Sequence, residues 1–564
     1  MDECKPLAGG LLRLVADELP NFNDVNVATA ISKLGKLCGS SLFPRNIAAD
    51  DCFRGLMVLA CDMCDDGRLQ EQAVANIVHA MSKMSAAGKL ATDDAGVQNT
   101  LAALEQRLAL VASSMEPQGV SNTVYGFALL GRMPGAKARA ALEVAVVRVA
   151  LDPDMVPQAV SNTLWALATL GWEPGVEARA ALEAAVVRVA PDPDMVPQAV
   201  SNTLWALATL GWEPGAEARA ALEAALVRLG PLMNAQEAAN TTWSFATLGL
   251  MPGAEASAAL QAAVLRVGPL MNAQEAANTT WSFATLGLMP GTEAWAALEA
   301  AVVRVGPDMN AQAVANIAWS FATLGLMPGA EAFATLDAAG VRVARDMTPQ
   351  AVANTLFGLL TLAATRGAPL PACYPALWQA ACGFDSNSFG VVGLRALFQA
   401  HLIHTELVNG DVLDEVTFPP WIMHEAREAW MRQAQEEVKM VRTHREIASI
   451  LGELGIPHEV EHLTDDGYFS VDVYLPGGDI ALELDGPTHF IAPAGEGGAP
   501  GDAPRTTRTT RTELRDMFLM RRHRVVLSVP WFEYAALNDG GAAEKNEYVA
   551  AKLRAAGVSI PAAT

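Results

Sequence analysis

The chain has 564 residues, 51% of them hydrophobic and 6% aromatic, with a formal charge of −23 at pH 7. That supplies ample apolar material for extended cores, and it weighs against any polyanion held by overall charge alone. No apolar run reaches the length of a membrane span, and seven scattered cysteines point to a reducing compartment rather than a disulfide framework.

The first twenty residues carry Asp2, Glu3, Asp17 and Glu18 against Lys5 and Arg13, which matches neither a signal peptide nor an Arg/Ser-rich transit peptide. Residues 1–115 read as a degenerate start to a helical array. Val74-Ala75-Asn76-Ile77 is a worn copy of a later phrase, and Val27-Ala28-Thr29 an older one with Thr in the Asn slot. Terminal copies face water and are expected to be atypical. Cys61 and Cys64, with Cys52 and His79 nearby, have the chain's one metal-like spacing. A lone CxxC within helices reads as incidental.

From 116 to 365 one phrase is repeated. PQAVSNTLWALATLGWEPG begins at Pro157 and again at Pro197, AQEAANTTWSFATLGLMPG at Ala235 and Ala273, and a close relative at Ala311. Asn122, Asn162, Asn202, Asn240, Asn278, Asn316 and Asn354 mark the period, in steps of 40, 40, 38, 38, 38 and 38 residues. A fixed period in this range signals an array. Each copy predicts two helices. Asn234/Glu237 and Asn272/Glu275 have capping-box spacing, Thr348-Pro349 can open a helix, and Gly171 and Pro174-Gly175 close one. An Ala-rich second helix runs from about Val176 to Ala190. A pair this short cannot bury its apolar side alone, so neighbours must stack. The predicted fold class is mainly α: an α-solenoid of helix-pair repeats of 38–40 residues, followed by a small α/β domain.

Three ladders run through the array. The asparagines form one; they either satisfy backbone groups between copies or aim a column of amides at bases. Arg148, Arg188, Arg228, Arg266, Arg304 and Arg342 near the ends of the second helices form another. They either complement helix dipoles or hold successive phosphates. Trp165, Trp205, Trp243, Trp281 and Trp319 form the third, expected to be core more than stacking platform. The repeated ANTLWALATLG-like phrase resembles the algal octotricopeptide-type repeats of about 38 residues. That resemblance covers roughly 116–365 and implies an organellar RNA binder, in a chloroplast or mitochondrion, with single-stranded RNA (a transcript or rRNA) as ligand and other RNA-processing proteins as possible partners. It would make Asn162, Asn202, Asn240, Asn278, Asn316, Arg188, Arg228, Arg266 and Arg304 RNA-contacting residues. The copy at 157–196 nevertheless carries Glu173, Glu177, Glu183, Asp192 and Asp194 against Arg179 and Arg188, a net charge of −3.

Residues 366–445 read as a terminal repeat, with a helix near Ser388–His404, followed by a polar connector helix at Trp421–Arg445. A second domain occupies 446–558. It opens with a helix to Leu454, then pairs Ser470–Leu475 with Asp479–Asp485 across Pro476-Gly477-Gly478. With Gly477-Gly478 at the turn, Leu475 faces Ile480, Tyr474 faces Ala481 and Asp472 faces Glu483. Asp472, Glu483 and Asp485 then share one face, where opposed carboxylates need a divalent cation, a shared proton or an arginine. A mobile insertion is expected at 491–511, then a helix to His523, a buried strand at Val525–Val529 and a last helix at Lys545–Ala555. Seven arginines between 505 and 524, against Glu513 and Asp516, give this stretch a net +5 in an acidic chain.

VDVYLPGGDIALELDGPTHF (471–490), the Leu514–Arg524 helix and VVLSVPWFEY (525–534) closely resemble the RAP domain, an RNA-binding module abundant in apicomplexans. The resemblance implies a divergent restriction-endonuclease-like fold. Asp472 and Glu483 fall on its metal-holding positions with Mg²⁺ as cofactor, Asp485 stands where that site's Lys would be, and His489 is a substitute proton carrier. Arg515, Arg521, Arg522 and Arg524 are then the expected RNA contacts. Two alternatives stand beside RNA binding in processing, stability or translation: a metal-dependent endoribonuclease guided by the array, and a protein-binding scaffold, for which stacked helix pairs are also suited.

Overall fold

A computed structural model describes residues 8–408, 419–436, 442–491, 507–539 and 541–560. Two compact units divide the chain at Pro252/Gly253, so the repeat array is shared between them.

In the first unit, helix pairs begin well before residue 116. The first helices, Asp24–Leu37, Glu71–Ala86, Pro117–Leu129, Pro157–Leu170, Pro197–Thr209 and Ala235–Leu248, each pack on the next. The second helices, Asp51–Asp65, Ala95–Val111, Ala136–Ala150, Val176–Val189 and Ala216–Leu229, form a parallel layer, and Ala8–Glu18 joins that layer at its start. This is an α-solenoid. Small residues let the first helices approach closely: a Cβ on Gly126 would stand 2.9 Å from Val78 Cγ1. The helix ends follow the sequence chemistry. Asn234 and Glu237 form a reciprocal capping box, and Gly171 ends its helix with φ of 62°, a left-handed value that favours glycine. Each copy buries residues such as Leu164, Leu167, Leu182 and Val186, and a fully buried side chain of this size stabilises by about 1.5–3 kcal/mol.

In the second unit the first helices Ala273–Leu286, Ala311–Leu324, Pro349–Arg366 and Val391–Leu402 likewise pack each on the next. The connector is helical over Arg427–Glu436 and resumes at Arg442–Glu453; residues 437–441 lie outside the described residues.

The α/β domain is a four-stranded sheet in the order β1-β2-β3-β4, with β1 Glu459–Leu463, β2 Ser470–Leu475, β3 Ile480–Asp485 and β4 Val525–Pro530. β1/β2 and β2/β3 are antiparallel, and β3/β4 are parallel. Leu475 pairs with Ile480 and Tyr474 with Ala481, the register the turn dictates. One face packs Val473, Leu475, Leu482 and Val529 against Ile447, Leu451, Val549 and Leu553. Strand β3 is central and nearly all buried. β4 is an edge strand and only half-buried, against expectation, because a single neighbour covers it. Of the insertion expected at 491–511, residues 492–506 lie outside the described residues. Its two ends pair with one another instead of being loose, Ile491 N donating to Thr507 O and Thr509 N to His489 O, both at 2.8 Å.

Candidate functional site

Along each first helix, two mid-helix positions break an otherwise buried run. Asn162 and Trp165 are half-buried while Ala159–Ser161, Thr163, Leu164 and Ala166–Ala168 are buried, and the same holds at Asn202/Trp205, Asn240/Trp243, Asn278/Trp281 and Asn316/Trp319. Gln158 and Thr169 extend that face by one turn each way, so the helix presents a stripe at 158, 162, 165 and 169. Among the described residues these five asparagine amides make no hydrogen bond within the protein. Asn354 differs, accepting from Gln350 Nε2 at 2.8 Å. The amides therefore do not bridge backbone groups between copies; they stand half-open with donors and acceptor free. The expectation of core tryptophans fails at these positions. The aromatics buried in these helices are Phe127, Phe245, Phe283 and Phe321, two residues further along, while these five indoles stay half-open; Trp172 and Trp212, after the helix ends, are buried. Tyr125, Trp165 and Trp205 lean on one another, with ring centroids 5.1 and 6.4 Å apart.

The arginine ladder has a different task. Arg188 donates to the carbonyls of Ala150, Pro153 and Met155 at 3.0–3.3 Å, and Arg228 to those of Ala190 and Asp192 at 2.8 and 3.2 Å. Arg148 and Arg304 donate to Met115 O and Met271 O, and Arg342 to Gly306 O and Met309 O at 3.0 and 2.7 Å. Each guanidinium thus ties its second helix to the carbonyls that end the preceding one, the orphan acceptors of a helix C-terminus. Arg266 occupies the same position in its copy. A row of free guanidinium groups for phosphates is replaced by a row of staples between copies.

In the α/β domain the carboxylates expected to share a cation lie on neighbouring strands but each has its own protein partner. Glu483, 3% exposed, receives Arg515 Nε on Oε2 at 2.9 Å, and its Oε1 is buried without a partner. Burial pushes its carboxyl up to about 7, against the pull of Arg515. Asp472 Oδ2 accepts Leu484 N–H at 2.6 Å, and its other oxygen lies 3.8 Å from His444 Nε2. His444 Nδ1 meets Glu461 Oε1 at 2.6 Å, and Glu461 holds a left-handed φ of 55°. Among the described residues His444, Glu461 and Asp472 are the one group of three that brings metal-type ligand atoms within 4.8 Å; the cysteines near 61–64 do not. The Mg²⁺ expected between Asp472 and Glu483 does not fit, because the Arg515 guanidinium already occupies Glu483 Oε2 and the Leu484 amide holds Asp472 Oδ2. Nor does Asp485 with His489 form an acid-base pair open to substrate. Asp485, 1% exposed, takes Arg508 and the Ser528 hydroxyl, and His489 Nδ1 stands 2.9 Å from its Oδ1 without hydrogen-bond alignment. Burial raises the Asp485 carboxyl, but its hydrogen bonds and Arg508 outweigh that and hold it below the usual range.

The arginine-rich stretch is likewise spent inside the protein. Arg508 also pairs with Asp516. Arg522 forks onto Glu406 at 2.8 and 2.9 Å and reaches Asp466 at 2.7 Å, lying over the Phe469 ring. Arg524 Nε donates to Gly478 O at 2.8 Å. The local +5 counted along the sequence is largely offset by Glu406, Asp466, Glu483 and Asp485, none of which lies in that stretch. Arg505 is outside the described residues. Arg521 is exposed and, among the described residues, its side chain has no such partner. Arg366 links Gly325 O to Glu513 and so ties the end of helix Ala311–Leu324 to helix Thr510–Leu519.

Among the described residues no helix is long and apolar enough to cross a membrane. No family model and no curated protein matches the chain. Among solved structures, one described as the crystal structure of an engineered protein aligns over 72% of this chain and 98% of its own. Its identity is 14% and its TM-score 0.17, a likeness too loose to bear on fold or function.

Proposed function

We propose that the array binds single-stranded RNA through the open stripe of its first helices, and that the chain acts in RNA processing, stability or translation in a chloroplast or mitochondrion. The observation that supports this reading is the column of half-buried asparagine amides with no protein partner, each beside a half-buried aromatic ring. An amide offers an acceptor and two donors that match a base edge, and a ring offers a face or edge for stacking. With the array arginines tied to carbonyls on an acidic body, affinity comes from bases more than phosphates. Binding should then weaken only gently with salt, since each lost phosphate contact changes the log–log slope by about 0.7 on single strands.

The RAP-like domain serves as a second contact through Arg521 and as a structural end to the array. Its internal ion pairs favour that role over an endoribonuclease. Fluorescence anisotropy with single-stranded RNA tests the main reading. The combined Asn162→Ala, Asn202→Ala and Asn240→Ala variant should keep its helical content and lose about tenfold or more in affinity, as expected for three polar contacts. Full affinity in that variant, or no RNA binding by the native chain, would favour the protein scaffold.

A further inference from the structure

In the middle of the first helices the differences between copies fall on buried positions; nearer the start, half-buried Glu237 and Glu275 replace Ala159 and Ala199 but are engaged in the capping boxes with Asn234 and Asn272. The copies at Pro157 and Pro197 carry Leu164 and Leu204 where later copies have Thr242, Thr280 and Ala318, and all five side chains are buried. Thr163 and Thr203, against Thr241, Thr279 and Ile317, are equally buried. These positions pack neighbouring copies, and the Thr242 hydroxyl spends itself on Ala238 O at 2.6 Å. None of them can touch a ligand.

The open stripe, by contrast, does not vary. It reads Gln158-Asn162-Trp165-Thr169 and Gln198-Asn202-Trp205-Thr209, and then Gln236-Asn240-Trp243-Thr247 in the first unit. In the second it reads Gln274-Asn278-Trp281-Thr285 and Gln312-Asn316-Trp319-Thr323. All twenty of these side chains are exposed or half-buried. The copies outside these five depart from it, with His79 and Lys83 and then Tyr125 and Leu129 on one side and Phe357 with a buried Thr361 on the other.

Identical side chains at identical exposure present identical chemistry. We infer that successive copies within a unit recognise a single-stranded tract of one repeated base, with no alternation between the two sequence classes of copy. The inference rests on the RNA reading above and specifies its ligand. The Gln and Asn amides read donor and acceptor groups on the base edge, the indole contacts its ring, and the Thr hydroxyl closes the stripe.

The test uses the full chain and oligonucleotides of about 12 nucleotides, within the usual range of single-strand site sizes. Oligo(A), oligo(U), oligo(C) and a mixed sequence are compared by anisotropy. One homopolymer should bind at least about tenfold tighter than the mixed sequence. Equal binding of the mixed sequence and the best homopolymer overturns this inference and leaves RNA binding intact, whereas no binding by any oligonucleotide overturns the parent reading as well. A second arm replaces Leu164 and Leu204 by Thr. The ranking of the oligonucleotides should not change, and a new preference created by these buried substitutions would place recognition inside the helix pair and refute the stripe.

Discussion

Glu483→Gln tests whether the buried carboxyl beside Arg515 is held neutral or ionised. In the folded chain the Glu483 carboxyl is pushed up to about 7 from an ordinary 4.5, with burial as the main cause. A carboxyl raised in this way keeps its proton between those two values while the unfolded chain has lost it. Stability is therefore fully present below about pH 4.5 and falls as pH rises through 7. The window from 4.5 to about 7, at about 1.4 kcal/mol per pH unit, makes the loss about 3–4 kcal/mol. Glutamine copies the neutral form: its carbonyl can still accept from Arg515 Nε, and its amide leaves the same buried ε1 position unpaired. The variant should match the native protein near pH 5 and exceed it by about 2–3 kcal/mol near pH 8, with the slope between removed. Because a solenoid with an appended domain does not unfold in one step, the measurement is hydrogen exchange of the β2 and β3 amides across that range. A variant that is less stable than the native chain at every pH would show that Glu483 is ionised and paired throughout, refuting the reasoning.

Three other outcomes follow from the geometry. Arg188→Gln with Arg228→Gln removes staples to five carbonyls. It should lower protection in the flanking helices by about 1–2 kcal/mol per site while leaving the salt slope of RNA binding unchanged. Gly358→Ala puts a Cβ 2.5 Å from Ala318 O where two first helices touch, and should lower hydrogen-exchange protection of that helix pair by about 1–3 kcal/mol. Arg521→Gln should reduce the salt slope by about 0.7, whereas Arg522→Gln should leave the slope alone. By stranding Glu406 and Asp466, the Arg522 change should instead speed proteolysis between the last helices and the α/β domain.

Several features were legible from the residues alone, and they share a cause. The period of the asparagines, the Asn234/Glu237 box, the Gly171 stop and the hairpin register around Gly477-Gly478 all depend on neighbours a few residues apart, whose spacing fixes which groups can meet. Tertiary structure decided the fate of the charged and polar groups. Arg522 meets Glu406 across 116 positions, and Arg515 meets Glu483 across 32; a charge count along the sequence sees neither partner. The choice between Trp165 and Leu164 is of the same kind. Both sit on one amphipathic helix, and only the approach of the next helix determines which is covered. Periodicity names the helix faces, but the packing of one copy on the next determines which face stays open. In this chain the open face is the one that does not vary.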